Sequence, residues 1–212
     1  MKISHYLLLV ALLVLTSCGG DERAVQALFD DYKSALATKD YGFICSSLDG
    51  KTIRMFQEMA ELARTADSMR LARAALFVRY EVILLRQRLE KETLENLTWE
   101  DVCRIGTLTM EIGEEVLNSQ LGVSKFKDNQ AIYSLIIDGK HTEQFLFFIE
   151  EDGDWKMNAA KFFSLISKNS VMMSFFSKPG DKALHNKGIE RQVENVTGQP
   201  LKANIWDSPA SW

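Results

Sequence analysis

Cys18 is the residue with the plainest chemical prospects. It follows Leu15, Thr16 and Ser17 and closes the apolar run Tyr6–Leu15, with a single positive charge, Lys2, ahead of it. A run of about ten apolar residues suits the central region of an export signal. It falls short of the roughly 20 that a membrane-spanning helix needs. Other groups in the chain resemble parts of chemical motifs without completing them. Gly50-Lys51-Thr52 looks like the end of a phosphate-binding loop, but Cys45 stands where the earlier glycine is required. His141-Thr142-Glu143 looks like a deaminase fragment without the paired cysteines that would complete a zinc site. Glu150, Glu151, Asp152 and Asp154 read as a solvated turn rather than a cation site. Tyr133 reads as a core tyrosine, and His141 and His185 as surface residues with no assignable acid partner.

Leu15-Thr16-Ser17-Cys18 resembles the bacterial lipobox, in which the cysteine thiol is alkylated by diacylglycerol. The peptide before it is then removed, and the new amino terminus often receives a fatty chain such as palmitate. The resemblance implies a signal peptide over 1–17, Cys18 as the lipidated first residue, and a Gly-rich tether over 18–22. Each buried methylene contributes about 0.8 kcal/mol, so two or three chains anchor stably where one does not. No Asp follows Cys18 directly, which by the same resemblance points to the outer membrane, on its periplasmic or surface face. Such a compartment holds no nucleoside triphosphates, which further disfavours the phosphate-loop reading.

Charge and cysteine usage agree with an envelope protein. The chain has 25 basic and 29 acidic residues, a net −4, and the leader contributes one lysine and no acid. Nucleic-acid binding would call for a basic excess, so no nucleic-acid partner is expected. Arginines gather at 64, 70, 73, 79, 86 and 88, and read as a solvated helix face balanced by acids. With Cys18 committed to lipid, Cys45 and Cys103 remain. A disulfide and two buried thiols are both open to them in an oxidising compartment.

Periodicity places the elements. Arg23–Thr38 reads as a helix with Ala24, Ala27, Leu28, Asp31 and Ala35 on one side and Val25, Phe29, Tyr32 and Leu36 widening the stripe. Phe43–Leu48 is a short helical turn. Thr52 is placed as the cap of a helix carrying Met55, Phe56, Met59, Leu62 and Ala63. A third helix takes Leu71, Ala75, Val78, Val82 and Leu85, with a strand over 77–85 as the competing reading. Thr98 and Asp101 look like the start of another, running to about Ile112. From Leu121 the pattern alternates. Strands around Val123–Phe126, Ala131–Ile137, Phe145–Ile149 and Trp155–Ala159 are separated by Asp138-Gly139 and Asp152-Gly153, the signature of an antiparallel meander. Ile132 and Ile136 on one strand, and Leu146 and Phe148 on the next, are assigned to a second apolar face, so both faces of the sheet are expected to be covered. An amphipathic piece over 161–177, a stop at Pro179-Gly180, a helix over 181–197 with Ile189, Val193 and Val196 on one face, and a docked Trp206 complete the chain.

The stretches Phe29–Tyr41 and Phe147–Met157, the latter with Asp152-Gly153-Asp154-Trp155-Lys156, resemble the cone-shaped cystatin-like fold. That superfamily includes nuclear transport factor two, ketosteroid isomerase and the SnoaL-like cyclases, and bacterial lipoproteins are common in it. The resemblance covers about 22–48 and 121–160. It implies an α+β domain over 23–178, with N-terminal helices packed on a curved antiparallel sheet. The helices at 53–113 would be an insertion, and 179–212 a helical extension. It also implies a pocket inside the cone.

No catalytic set, metal ligands or cofactor site can be assigned to that pocket. The expected function is therefore a membrane-anchored, non-catalytic domain that binds a small apolar ligand or a protein partner, with a homodimer through the sheet or the extension as one form of partnership. A pocket enzyme of isomerase, dehydratase or hydrolase type, marked by a buried acid beside a Tyr or His, is the first rival. A structural or assembly lipoprotein is the second.

Overall fold

The computed structural model describes residues 3–109, 116–168 and 182–212, and side chains from residue 20 onward apart from those of 108–115, 166–181 and 182–185. The fold is α+β, with helices before and after a four-stranded antiparallel sheet. It divides into two compact units, Met1–Asp49 with Glu111–Asn158, and Gly50–Met110 with Ala159–Trp212. The segment read as an insertion and the segment read as an extension thus belong to one unit.

The first unit holds α1 (Ile3–Thr38), α2 (Tyr41–Ser46) and the sheet. α1 runs unbroken through Gly19 and Gly20, the residues read as a tether, rather than starting at Arg23. Its buried stripe is Val25, Phe29 and Ala35, with Leu28, Tyr32 and Leu36 half-buried; Ala24 and Ala27 are exposed. The seam thus runs through Val25, Phe29 and half-buried Tyr32 at i, i+4 and i+7 and ends on the small Ala35. Lys39, with φ of 59°, ends α1. Asp40 then caps α2 by accepting from the Phe43 N–H at 3.0 Å, so the turn begins at Tyr41 instead of Phe43.

The strands are β1 (Ser119–Lys127), β2 (Gln130–Ile137), β3 (Lys140–Glu151) and β4 (Asp154–Met157), in that order across the sheet. Asp138 and Gly139, with φ of 51° and 74°, and Asp152 and Gly153, with 55° and 86°, make the expected two-residue turns. Ala159 does not extend β4 but opens the next helix. The outer edge of β4 is covered by residues 47–49, through a parallel bridge between Leu48 and Met157 and bonds from the Met157 N–H to Ser47 O and from the Asp49 N–H to Met157 O.

Register corrects the assignment of faces. Tyr133 lies opposite Leu146, and Ala131 opposite Phe148. Leu146 and Phe148 therefore share the core face with Tyr133, while Ile132 shares the other face with Phe147. A two-residue turn at 138–139 pairs odd positions with even ones, which dictates this grouping. The second face is only partly covered. Ile132 and Ile136 are half-buried and Phe147 is buried, but Phe145 is 43% exposed and Val123 69%.

The second unit is helical. It comprises α3 (Gly50–Thr65), α4 (Ser68–Leu71), α5 (Leu76–Arg88), α6 (Lys91–Glu95), α7 (Trp99–Thr109), α8 (Ala159–Lys168) and α9 (Lys182–Thr197), with a 3-10 turn at Pro209–Ser211. α5 is its axis, packed by α3, α6, α8 and α9, and Val82–Leu85 are all buried. The strand reading of 77–85 is excluded. The single helix expected over 71–85 is two, because Asp67 caps the short α4 through the Arg70 N–H and Ala75 re-enters in an extended conformation. Thr52 does not cap α3. It lies inside the helix, fully buried, and its hydroxyl accepts from the Ala160 N–H at 3.0 Å, which satisfies a donor at the start of α8.

Thr98 and Asp101 do form a reciprocal box before α7, with the Thr98 N–H donating to Asp101 Oδ2 and the Asp101 N–H to Thr98 Oγ1. On α9, Ile189 and Val193 are buried, but Val196 is 46% exposed, two residues before Gly198 ends the helix at φ of 65°. The expected end of α7 at Ile112, the stretch 169–177 and Pro179-Gly180 lie outside the described residues.

Candidate functional site

Two places could do chemistry, one in each unit. The first is the core face of the sheet, where the cone resemblance implies a pocket. Tyr133, 2% exposed, meets Phe126 and Phe148 edge to face at 5.9 and 5.8 Å, and Phe126 meets Trp155 in the same way at 5.8 Å. Ala131, Leu135 and Met157 are buried among them in the same sheet face. Edge-to-face geometry sets each ring's positive rim against its neighbour's negative face, so these rings pack on one another. Burial, and then the Glu22 carboxylate, raise the Tyr133 pKa, with Ser124 pulling the other way. The Tyr133 hydroxyl nonetheless makes no hydrogen bond of ordinary geometry. Among the described residues, no acid stands in hydrogen-bond contact with this hydroxyl.

The second place is α5, where the arginines depart from expectation. Arg70 and Arg73 are exposed, as a solvated face requires, and Arg70 pairs with Glu61. Arg79 and Arg86 are buried, at 6% and 0% exposure. Arg86 spends all five N–H donors on main-chain oxygens. Nε donates to Ala63 (3.0 Å), Nη2 to Leu62 (2.8 Å) and Ala66 (2.6 Å), and Nη1 to Ile205 (3.1 Å) and Asp207 (2.9 Å). It thereby closes the carbonyl end of α3 and pins the C-terminal segment. Burial lowers its pKa to about 10, and the Asp207 charge offsets part of that. Around it, Gln87 donates to Pro200 O and accepts from the Lys202 N–H, Lys202 Nζ donates to Leu89 O, and Trp206 Nε1 donates to Glu190 at 2.7 Å. Trp206 docks as the sequence led us to expect.

Phe77, Glu81 and Arg88 share another face of α5 by their i, i+4, i+11 spacing. Phe77 stacks on Phe163 of α8 at 4.4 Å. Burial pushes the Glu81 carboxyl up to about 7, and Arg88 offsets part of the rise. Burial, then Glu81, raise Tyr80 to about 12, again against Arg88. Arg88 Nη1 is buried without a partner. A carboxyl that titrates near 7 can hold or release a proton at neutral pH. Sequence reading missed Glu81. Its one signal was that it is the single acid within Leu76–Arg88.

The remaining residues singled out in sequence stay apart. Cys18 lies within α1 and its side chain is outside the described residues, as is that of His185. His141 is exposed beside the 138–139 turn. Gly50-Lys51-Thr52 opens α3, with Thr52 engaged by Ala160. Among the described residues no cluster of His, Cys, Asp or Glu could hold a metal ion, and no helix is long and apolar enough to cross a membrane. Cys45 and Cys103, both buried, are disulfide-bonded, which decides between the two states left open in sequence. No protein-family model, curated protein or solved structure matches this chain.

Proposed function

We propose that this chain is a bacterial envelope lipoprotein, anchored through lipid on Cys18, whose folded part is a non-catalytic interaction domain for a protein partner. The interlocked rings of Phe126, Tyr133, Phe148 and Trp155 carry the choice of partner. They occupy the face that would hold a small apolar ligand, while Val123 and Phe145 stand exposed on the other face beside half-buried Ile132 and Ile136. Exposed apolar groups gathered on one sheet face favour protein association. The disulfide-bonded state of Cys45 and Cys103 suits an oxidising envelope compartment. The kinship with the cystatin-like cone superfamily is part of the same proposal.

Fractionation with a palmitate label tests the anchor. The wild type is expected in the membrane fraction and labelled, and Cys18→Ser in the soluble fraction and unlabelled; a Cys18→Ser protein that stays membrane-bound would overturn the anchor. For the interaction face, a Val123→Glu, Phe145→Glu double variant should keep its circular dichroism spectrum and lose co-purifying partners. A second reading, a pocket enzyme, rests on Glu81 as a neutral-pH proton carrier beside Tyr80. It requires Glu81→Gln to abolish a turnover that the wild type performs.

A further inference from the structure

Arg79 is 6% exposed, yet its Nε–H has no hydrogen-bond partner. Its guanidinium makes one long bond among the described residues, from Nη1 to Asn186 Oδ1 of α9 at 3.4 Å. Among those residues it forms no ion pair. Among the described residues, the acids on the neighbouring helices have other partners or are exposed. On α9, Glu190 accepts from Trp206 and Glu194 accepts from the Leu201 N–H. On α3, Glu61 pairs with Arg70 and Glu58 is exposed. On α5 itself, Glu81 interacts with Arg88. Burial alone accounts for the lowered pKa of Arg79, with no carboxylate opposing it.

Arg86, one heptad further along the same face of the helix, shows what compensation of a buried arginine looks like here, with five donors on five carbonyls. A buried guanidinium without such compensation is among the costliest groups a core can hold. An unsatisfied buried donor of this kind calls for an explanation, and a bound ion is one.

We propose that Arg79 and Asn186 form a binding site for a small oxyanion, a carboxylate or a phosphate group. The free Nε–H and the adjacent Nη2–H present the side-on fork that such groups accept in pairs. Asn186 is half-buried and holds the guanidinium only through its long bond. Displacing Oδ1 from that bond opens the way in, and the Asn186 amide can then donate to the incoming oxygen. The two oxyanion sources share this chemistry and differ in charge and shape.

The test uses the full chain in detergent, titrated separately with inorganic phosphate and with acetate at constant ionic strength set by chloride. Melting temperature and the Arg79 Nε–Hε NMR signal are followed together. One of the two anions should raise Tm saturably by about 3–6 °C and shift the Arg79 signal with the same midpoint; which one does so identifies the ligand class. Asn186→Ala should weaken the response several-fold. Arg79→Met, which fills the same space without the charge, should fold and show no response. If neither anion exceeds chloride, or if Arg79→Met titrates like the wild type, the site does not exist.

Discussion

The guanidinium of Arg86 donates through Nη1 to the main-chain oxygen of Asp207 at 2.9 Å, across 121 residues of sequence. The same side chain holds Leu62, Ala63 and Ala66 at the end of α3. One residue thus ties three segments of the helical unit, and the Asp207 charge nearby moderates the cost of burying it.

Arg86 should therefore be the most sensitive position in that unit. Arg86→Ala leaves five main-chain oxygens, four of them buried, unpaired or under-paired, and a large void. A loss of about 3–5 kcal/mol is expected in urea unfolding. Arg86→Lys keeps the charge but offers three donors for five acceptors, and should cost roughly 2–3 kcal/mol. Both variants should expose the segment after Pro200 to limited proteolysis before the rest of the chain is cut, whereas a variant that unfolds as a whole would show no such order.

Glu81 gives the fold a pH dependence of unusual sign. Its folded pKa, about 7, lies above the ordinary 4.5. The native state thus holds this proton more tightly than the unfolded state does. Its contribution is fully present below about pH 4.5 and is lost as pH rises to about 7. The loss is on the order of 2–3 kcal/mol, allowing for its partial exposure. Glu81→Gln should match the wild type near pH 4 and exceed it in stability above pH 7. Parallel stability–pH curves for the two proteins would show that the carboxyl is not perturbed.

Cys45 and Cys103 should resist alkylation when the protein is denatured without reductant, and should both react after reduction. Reduction should lower stability by about 2–4 kcal/mol. Mass mapping of alkylated peptides reads the first, and unfolding with and without reductant the second.

The elements were legible where their cause is local. Asp138-Gly139 and Asp152-Gly153 need only their own conformations to turn the chain, and Thr98 with Asp101 needs only one helical turn to cap α7. The facing of Leu146 with Tyr133 was also available in principle, since a two-residue hairpin fixes the parity of the pairing. What sequence hid depends on distant partners. Arg86 reads like any arginine on a charged helix until the carbonyls of residues 62–66 and 205–207 surround it. Thr52 reads as a cap because its true partner, the Ala160 N–H, lies 108 residues away. Glu81 acquires its interest only from the packing that desolvates it.

Gly122 sits at the irregularity in β1, between Leu121 and Ser124, where the register with β2 shifts. There the Ser134 hydroxyl replaces a ladder bond, accepting from the Val123 N–H at 3.0 Å. A Cβ on Gly122 would lie 2.6 Å from Ser134 Oγ, 3.2 Å from Ile136 Cγ1 and 3.3 Å from Ser134 O. The closest clash is with a side-chain atom that can rotate, but only by giving up Val123. Gly122→Ala should cost about 1–3 kcal/mol. Ser134→Ala should cost less alone, and in the double variant should recover part of the Gly122→Ala loss, because it removes the nearest obstacle while the Ser134 carbonyl remains. A double-mutant cycle measured by urea unfolding checks this. Additive costs would mean that the backbone of β2, not the serine hydroxyl, sets the need for glycine at this bulge.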